Sequence, residues 1–232
     1  MKQKLRPMET IMNVVFFACG FIAIVFVLFI SVYLIISGIP AIREIGLIDF
    51  LFGTEWASTA AEPKFGILPF ILTSIYGTAG AIVLGVPVGF MTAVFLAKVA
   101  PPRLAAVVRP AVDLLAGIPS VVYGLIGMMV LVPAVRVAFN LPDGASLFCA
   151  IIVLGIGRAI GEAMAIIMVA GNVANMPGLF KSVRFLTTAV ASEMSYASGL
   201  QRQALFSIAL VLFLFIMLIN VVLNTLLKRK KG

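Results

Sequence analysis

The chain has 232 residues, 62% of them hydrophobic and 11% charged, where a soluble domain carries roughly 25% charged residues. Its 17 basic and 9 acidic residues sum to +8, and they leave 11–42, 65–97, 114–135 and 203–227 without any charge. Each of those stretches exceeds the ~18–20 apolar residues that cross a ~30 Å hydrocarbon layer, which excludes a soluble globular fold and predicts an all-α polytopic membrane protein.

Lys2, Lys4 and Arg6 precede the first predicted span, 11–37, which Gly38-Ile39-Pro40 ends. Residues 41–66 hold Arg43 and Lys64 against Glu44, Asp49, Glu55 and Glu62. That balance suits the outside face if the N-terminus is cytoplasmic, and Trp56 then reads as an interfacial aromatic. The second span covers 66–97. Gly77, Ala81, Gly85 and Gly89 recur in it every four residues, a small-residue ridge that admits a close neighbour, either within the subunit or across a subunit interface. Pro87 lies inside this span and predicts a kink.

Lys98, Arg103 and Arg109 with Pro101-Pro102 form a short basic cytoplasmic loop. A third span, 111–139, is interrupted at Gly117-Ile118-Pro119-Ser120 and reads as a broken helix. Leu141-Pro142-Asp143-Gly144 is a turn. A fourth span, 145–171, and a last one, 203–227, flank a mixed stretch, 172–202, that suits a short helix at the membrane surface or one dipping in and out. Lys228, Arg229, Lys230 and Lys231 follow the last span.

The residue types exclude several chemistries. Without histidine there is no Ser-His-Asp set and little prospect of a zinc site. Cys19 and Cys149 lie in apolar runs and read as small core residues. No phosphate-cradling G-x-x-x-x-G-K-[ST] occurs, so ATP energy must come from another polypeptide. Nothing calls for a cofactor or metal, no enzyme site is in view, and basic residues that abut spans argue against nucleic-acid binding.

Arg158 and Glu162 break the pattern, because both fall inside the fourth apolar run. A charge at the bilayer centre costs about 2.5–3.5 kcal/mol on insertion scales, so it faces protein or a water-filled path. Their i,i+4 spacing puts both on one helix face, beside Gly157 and Gly161, which permit close approach. Arginine's planar fork suits phosphate or carboxylate oxygens, and Glu162 would neutralise it in the empty state. The pair therefore reads as a substrate path, or else as an ion pair that satisfies only itself.

The stretches FGILPFILTSIYGT (65–78), GVPVG (85–89), FLAKVAPPR (95–103), RPAVDLLAGIPSVVYGLIG (109–127), GIGRAIGEAMAIIMVAGN (155–172) and SEMSYASGLQRQALFSIALVLFLFIMLIN (192–220) resemble the permease subunit of phosphate ABC importers, the PstC type. The resemblance implies a MetI-like importer permease bundle, a single transmembrane domain over 1–232 in a bacterial cell membrane. It implies inorganic phosphate as substrate and a PstA-like second permease subunit, an ATPase dimer and an extracytoplasmic phosphate-binding protein as partners. It also implies that Arg158 and Glu162 match the family's intramembrane residues for phosphate transport.

Two features depart from that family. The cytoplasmic coupling loop that docks on the ATPase is not found, and the resemblance jumps near 146–153, as if most of one span and that loop were absent. About five spans then stand where the family has six. Charge counts agree: read forward, they put Asp143 outside; read backward from a cytoplasmic basic tail, they put Ala145 inside. An internally deleted, coupling-deficient membrane protein, or a permease for another oxyanion, is the alternative reading.

Overall fold

The computed structural model describes residues 7–156 and 163–229. The first helix, α1 (Pro7–Ile45), does not stop at Gly38-Ile39-Pro40 as predicted but runs on to Gly46, whose φ of 93° ends it. A proline removes one backbone bond and crowds the preceding turn, yet tertiary contact holds this helix together. Ser207 in α10 (Gly199–Arg229) donates to the Gly38 carbonyl at 2.6 Å, and Tyr33 meets Phe206 edge-on at 5.4 Å. Gly38 permits this approach, since a Cβ there would sit 3.1 Å from the Ser207 Cα. The first and last long helices therefore pair antiparallel.

Between them lies a collar at one end of the bundle. It contains α2 (Leu47–Phe52), the antiparallel pair β1 (Trp56–Ala57) and β2 (Lys64–Phe65), and α9 (Leu186–Glu193). Ala41, Phe50, Phe65, Ile67, Phe70, Leu186, Ala189 and Leu205 form one buried cluster. Trp56, expected as an interfacial aromatic, is packed into this collar against Phe65 and Phe70, at 5.4 and 5.5 Å.

The second predicted span is α3 (Leu68–Val94), prolonged by a π-helical turn, Phe95–Val99. It continues through Pro87 and carries the chain ~40 Å from the collar. Pro101 and Pro119 then set the next boundaries: the residue before a proline avoids the helical region, and Ala100 and Ile118 are indeed extended. The predicted third span accordingly splits. α4 (Pro102–Gly117) is a separate helix, and a continuous helix, Ser120–Ala138, returns to the collar as α5 (Ser120–Ile126), a π turn and α6 (Val132–Ala138). The Tyr123 hydroxyl donates to the Leu115 carbonyl at 2.5 Å, satisfying one of the acceptors that a helix end leaves open.

The fourth predicted span, 145–171, is not one helix. α7 (Leu147–Ile156) and α8 (Ala163–Ala170) pack against each other, and the Ser146 amide donates to the Val169 carbonyl at 3.0 Å. In a straight helix those residues would be ~35 Å apart. The segment is a hairpin of two half-length helices, and both its ends lie at the collar. Ser182 ties them there, donating to Asp143 at 3.1 Å and to the Ala145 carbonyl at 2.9 Å. α7 is unbroken across 147–156, and α8 leads back to the collar from Ala163.

Four helices among the described residues are long and apolar enough to cross a membrane: Ile11–Ile45, Leu68–Val99, Ser120–Ala138 and Gly199–Val222. Together with a hairpin that returns to its own face, they remove the conflict between the two charge counts, because Asp143 and 172–202 now share a side. In a chain with Cys19 and Cys149 replaced, single cysteines at the exposed Thr59, Asp143 and Asn175 should react with an impermeant maleimide from one face of the membrane, and Arg103→Cys from the other. Labelling of Asp143→Cys and Asn175→Cys from opposite faces would restore a single crossing helix.

Candidate functional site

The hairpin is clasped by small residues on two sides. On α3, a Cβ at Gly80 would lie 2.7 Å from the Ile151 side chain, and one at Gly85 2.6 Å from the Gly155 carbonyl oxygen. On the other side, a Cβ at Gly124 would lie 2.7 Å from the Ala165 Cα, and one at Gly127 2.7 Å from Val169. Little besides packing joins helices in lipid, and these glycines bring backbones into contact. Cys149, Val153, Leu154, Ala165, Ile166 and Val169 fill the interior.

Of the ridge read from the sequence, Gly77 lies under the Phe185 ring with no room for a Cβ, Ala81 is buried and Gly85 touches Gly155, whereas a Cβ at Gly89 would meet no described atom within 4 Å. The glycines of the facing wall, Gly124 and Gly127, were missed because a spacing of three inside a helix broken at Pro119 gives no ridge. Arg158, Glu162, Gly157 and Gly161 lie outside the described residues. The described chain fixes where they attach: to the end of α7 and the start of α8, both uncharged.

Past the end of α7 opens a cavity of about 590 Å³. α3, α4 and the last turn of α7 line it, mostly with apolar side chains; Thr92, Arg109 and Asp113 are the polar exceptions. Arg109 and Asp113 share one face of α4 at i,i+4 spacing. The Arg109 guanidinium also donates to the Leu96 carbonyl at 3.2 Å, closing the loop between α3 and α4.

A second polar assembly sits in the collar. Arg184 donates through Nη1 to Glu193, and through Nε and Nη2 to the Asn172 carbonyl at 3.0 and 2.9 Å. The second Glu193 oxygen accepts from Trp56 Nε1 at 3.3 Å and Gln201 Nε2 at 3.0 Å. Arg184 also lies over the Phe70 ring, 5.8 Å from its centre. Glu193 is only 5% exposed, so this ion pair is desolvated but saturated with partners. It joins the 56–65 hairpin, the chain after α8, α9 and α10. Gly171 and Asn172, with φ of 83° and 52°, make the turn that presents the Asn172 carbonyl, a conformation these two residue types tolerate best. Sequence reasoning missed the pair because nine residues separate its members across an irregular segment.

The other ion pair among the described residues, Lys64–Glu55 at 2.5 Å, is solvent-exposed. Its hydrogen bond and attraction hold the Glu55 carboxyl below the usual carboxylate range, with little effect on stability at an exposed site. No cluster of three or more His, Cys, Asp or Glu side chains is placed to hold a metal among the described residues.

A multi-pass helical bundle with a glycine-clasped hairpin and no catalytic cluster among the described residues has the architecture of a membrane permease. No protein-family model matches the chain, and no solved structure matches it. The chain is 30% identical over 268 aligned positions to the probable ABC transporter permease protein YqgH of Bacillus subtilis, covering 88% of this chain and 87% of that protein. It is 26% identical over 263 positions to the phosphate transport system permease protein PstC of Pasteurella multocida, with 79% and 82% covered. Its identity to the PstC protein of Haemophilus influenzae is 27% over 294 positions, with 91% and 92% covered. The chain belongs to the ABC transporter permeases. Permease subunits of such transporters are non-catalytic, and they typically work with another permease, an ATPase and a binding protein.

Proposed function

We propose that the chain is the membrane-spanning permease subunit of an ATP-driven importer for inorganic phosphate. The observation that carries this reading is kinship, over most of its length, with proteins named as phosphate transport permeases. A PstA-like permease would complete the path, an ATPase dimer would drive it, and an extracytoplasmic phosphate-binding protein would load it from the collar face. Arg158 would offer its guanidinium fork to phosphate oxygens, and Glu162 would neutralise it between cycles. Basic residues support the orientation. Lys98, Arg103 and Arg109 fall on the face opposite the collar, and in the sequence Lys2, Lys4 and Arg6 precede α1 while Lys230 and Lys231 follow α10, which supports a cytoplasmic assignment of that face.

A second reading concerns coupling, and a specific observation favours it. The 268 and 294 aligned positions exceed the 232 residues of the chain, so these relatives carry internal residues that it lacks. Only six residues join α7 to α8, and both helices begin and end at collar-side contacts or half-depth. Among the described residues, no cytoplasmic loop large enough to dock an ATPase falls between Arg109 and α10.

Both readings meet in one experiment. Vesicles containing the chain, the second permease, the ATPase and the binding protein are tested for ATP-dependent uptake of labelled phosphate. The 232-residue chain should give background uptake, and a form that also carries the internal residues by which the Bacillus relative exceeds it should give robust uptake. Robust uptake by the short chain would end the coupling-deficient reading. Failure of the lengthened form to transport phosphate while moving another oxyanion would end the phosphate assignment.

A further inference from the structure

The connection between the second and third long helices is itself a helix, and its faces are reversed from what water would select. α4 places Leu104, Val107, Ala111 and Leu114 along one side, at i, i+3, i+7 and i+10. Arg109 and Asp113 fall on the opposite side. That charged side is turned to the protein: both residues line the cavity against α3, and the Arg109 guanidinium bonds the Leu96 carbonyl. The apolar side faces outward, with Val107 70% and Leu114 73% exposed, and neither lines that cavity. A helix in water buries its apolar face and exposes its charges, so what lies outside α4 is apolar.

Depth locates this surface. The helix that follows, Ser120–Ala138, has 19 residues and spans ~28 Å, close to the ~30 Å hydrocarbon thickness. It returns to the collar, so its Ser120 end stands at the opposite boundary of the membrane. α3 with its π turn, Leu68–Val99, reaches at least as far. Both ends of α4 therefore lie at that boundary, and α4 bridges two spans along it over ~24 Å. Pro101 and Pro119 break the backbone at its two ends, which lets α4 leave the direction of the spans. Lys98 and Arg103 flank the first break, and Arg103 sits one turn before Val107. Neither joins an ion pair among the described residues. Long basic side chains at the edge of an apolar helix face keep their stems in the apolar layer while the charge reaches the headgroups.

We propose that α4 is an interfacial helix bound to the cytoplasmic leaflet. Its Leu104–Leu114 side sinks into the boundary between headgroups and acyl chains, and Lys98 and Arg103 bind anionic phospholipid headgroups. The membrane is the occupant, and not a soluble partner, because the outward face lies between two spans that end at the same boundary. The charges nearest that face are basic, which matches the negative potential of that leaflet. A helix held in this way fixes the connection from α3 to α5, and with it the cavity wall that Arg109 and Asp113 form behind it. The choice of leaflet rests on the proposed orientation; the lipid contact does not.

The test uses the 232-residue chain without Cys19 and Cys149. A single spin label is placed at Val107→Cys, at Leu114→Cys or, on the Arg109 side, at the exposed Ala106→Cys. Each is reconstituted in vesicles of phosphatidylcholine alone or with about a third phosphatidylglycerol. Accessibility to oxygen, which concentrates among acyl chains, is compared with accessibility to a water-soluble nickel chelate. The first two labels should favour oxygen several-fold over the third, and more strongly in the anionic vesicles. Lys98→Gln with Arg103→Gln should erase the gain from phosphatidylglycerol, whereas Lys98→Arg with Arg103→Lys should keep it. Equal accessibilities at the three positions would overturn the proposal, and so would a first pair of labels shielded from nickel only after an ATPase subunit is added. Insertion of equal depth in both kinds of vesicle would overturn the anionic-headgroup contact. No readout involves transport, so a failure here is distinct from a failure of the permease reading.

Discussion

Glu193→Leu should destabilise the protein by about 3–5 kcal/mol, the usual cost of removing one member of a buried ion pair. The Arg184 guanidinium would remain in a site where its side chain is 15% exposed, facing a leucine. Two further donors, Trp56 Nε1 and Gln201 Nε2, would lose their acceptor at the same stroke. The loss should appear as a lower unfolding midpoint in detergent and as faster proteolysis between Trp56 and Lys64. Glu193→Gln should cost less, because the amide oxygen still accepts from one of those donors. Arg184→Met combined with Glu193→Leu should recover much of the single-mutant loss, since an apolar pair removes the uncompensated charge. A double mutant as unstable as Glu193→Leu would show that hydrogen bonds to the Asn172 carbonyl, and not the charge pair, hold the collar.

The second large effect concerns transport. In the lengthened form, Arg158→Gln should reduce ATP-dependent phosphate uptake to background while leaving membrane level intact. Glutamine keeps the polarity and removes a charge that arginine never gives up. Unchanged uptake would return Arg158 and Glu162 to a self-satisfied pair. On the proposed pairing of Arg158 with Glu162, Glu162→Gln should instead lower the amount of inserted protein, because the arginine charge would then lack its counter-ion inside an apolar run. Equal membrane levels for the two single mutants would contradict that asymmetry.

Much of the fold was legible because the membrane is a stringent solvent. Helices of sufficient apolar length overlap four of the five predicted spans, the third only from Ser120 on, and the breaks at Ala100 and Ile118 follow from the prolines after them. What misled the reading were features whose outcome depends on a neighbour. Pro40 reads as a terminator, but α1 continues because Gly38 rests on α10 and Ser207 bonds its carbonyl. Trp56 reads as a lipid-facing anchor, but a carboxylate 137 residues away accepts from its indole.

The fourth apolar run shows the limit most clearly. Hydropathy over 145–171 is the same for one helix of full length as for two half-length helices, because side-chain burial in lipid does not record the direction of the chain. Only the parity of the basic residues and the jump in the resemblance near 146–153 pointed to trouble there. The small number of charges therefore settled by itself that this chain belongs in a membrane, which loops carry the positive face, and which two charges stand inside an apolar run. Tertiary structure alone decided that the run folds back to the collar, that Arg184 and Glu193 meet, and that the ridge on α3 is covered at Gly85 and open at Gly89. Those outcomes depend on close approach between distant glycines and on hydrogen bonds across irregular backbone, and neither leaves a period in the sequence.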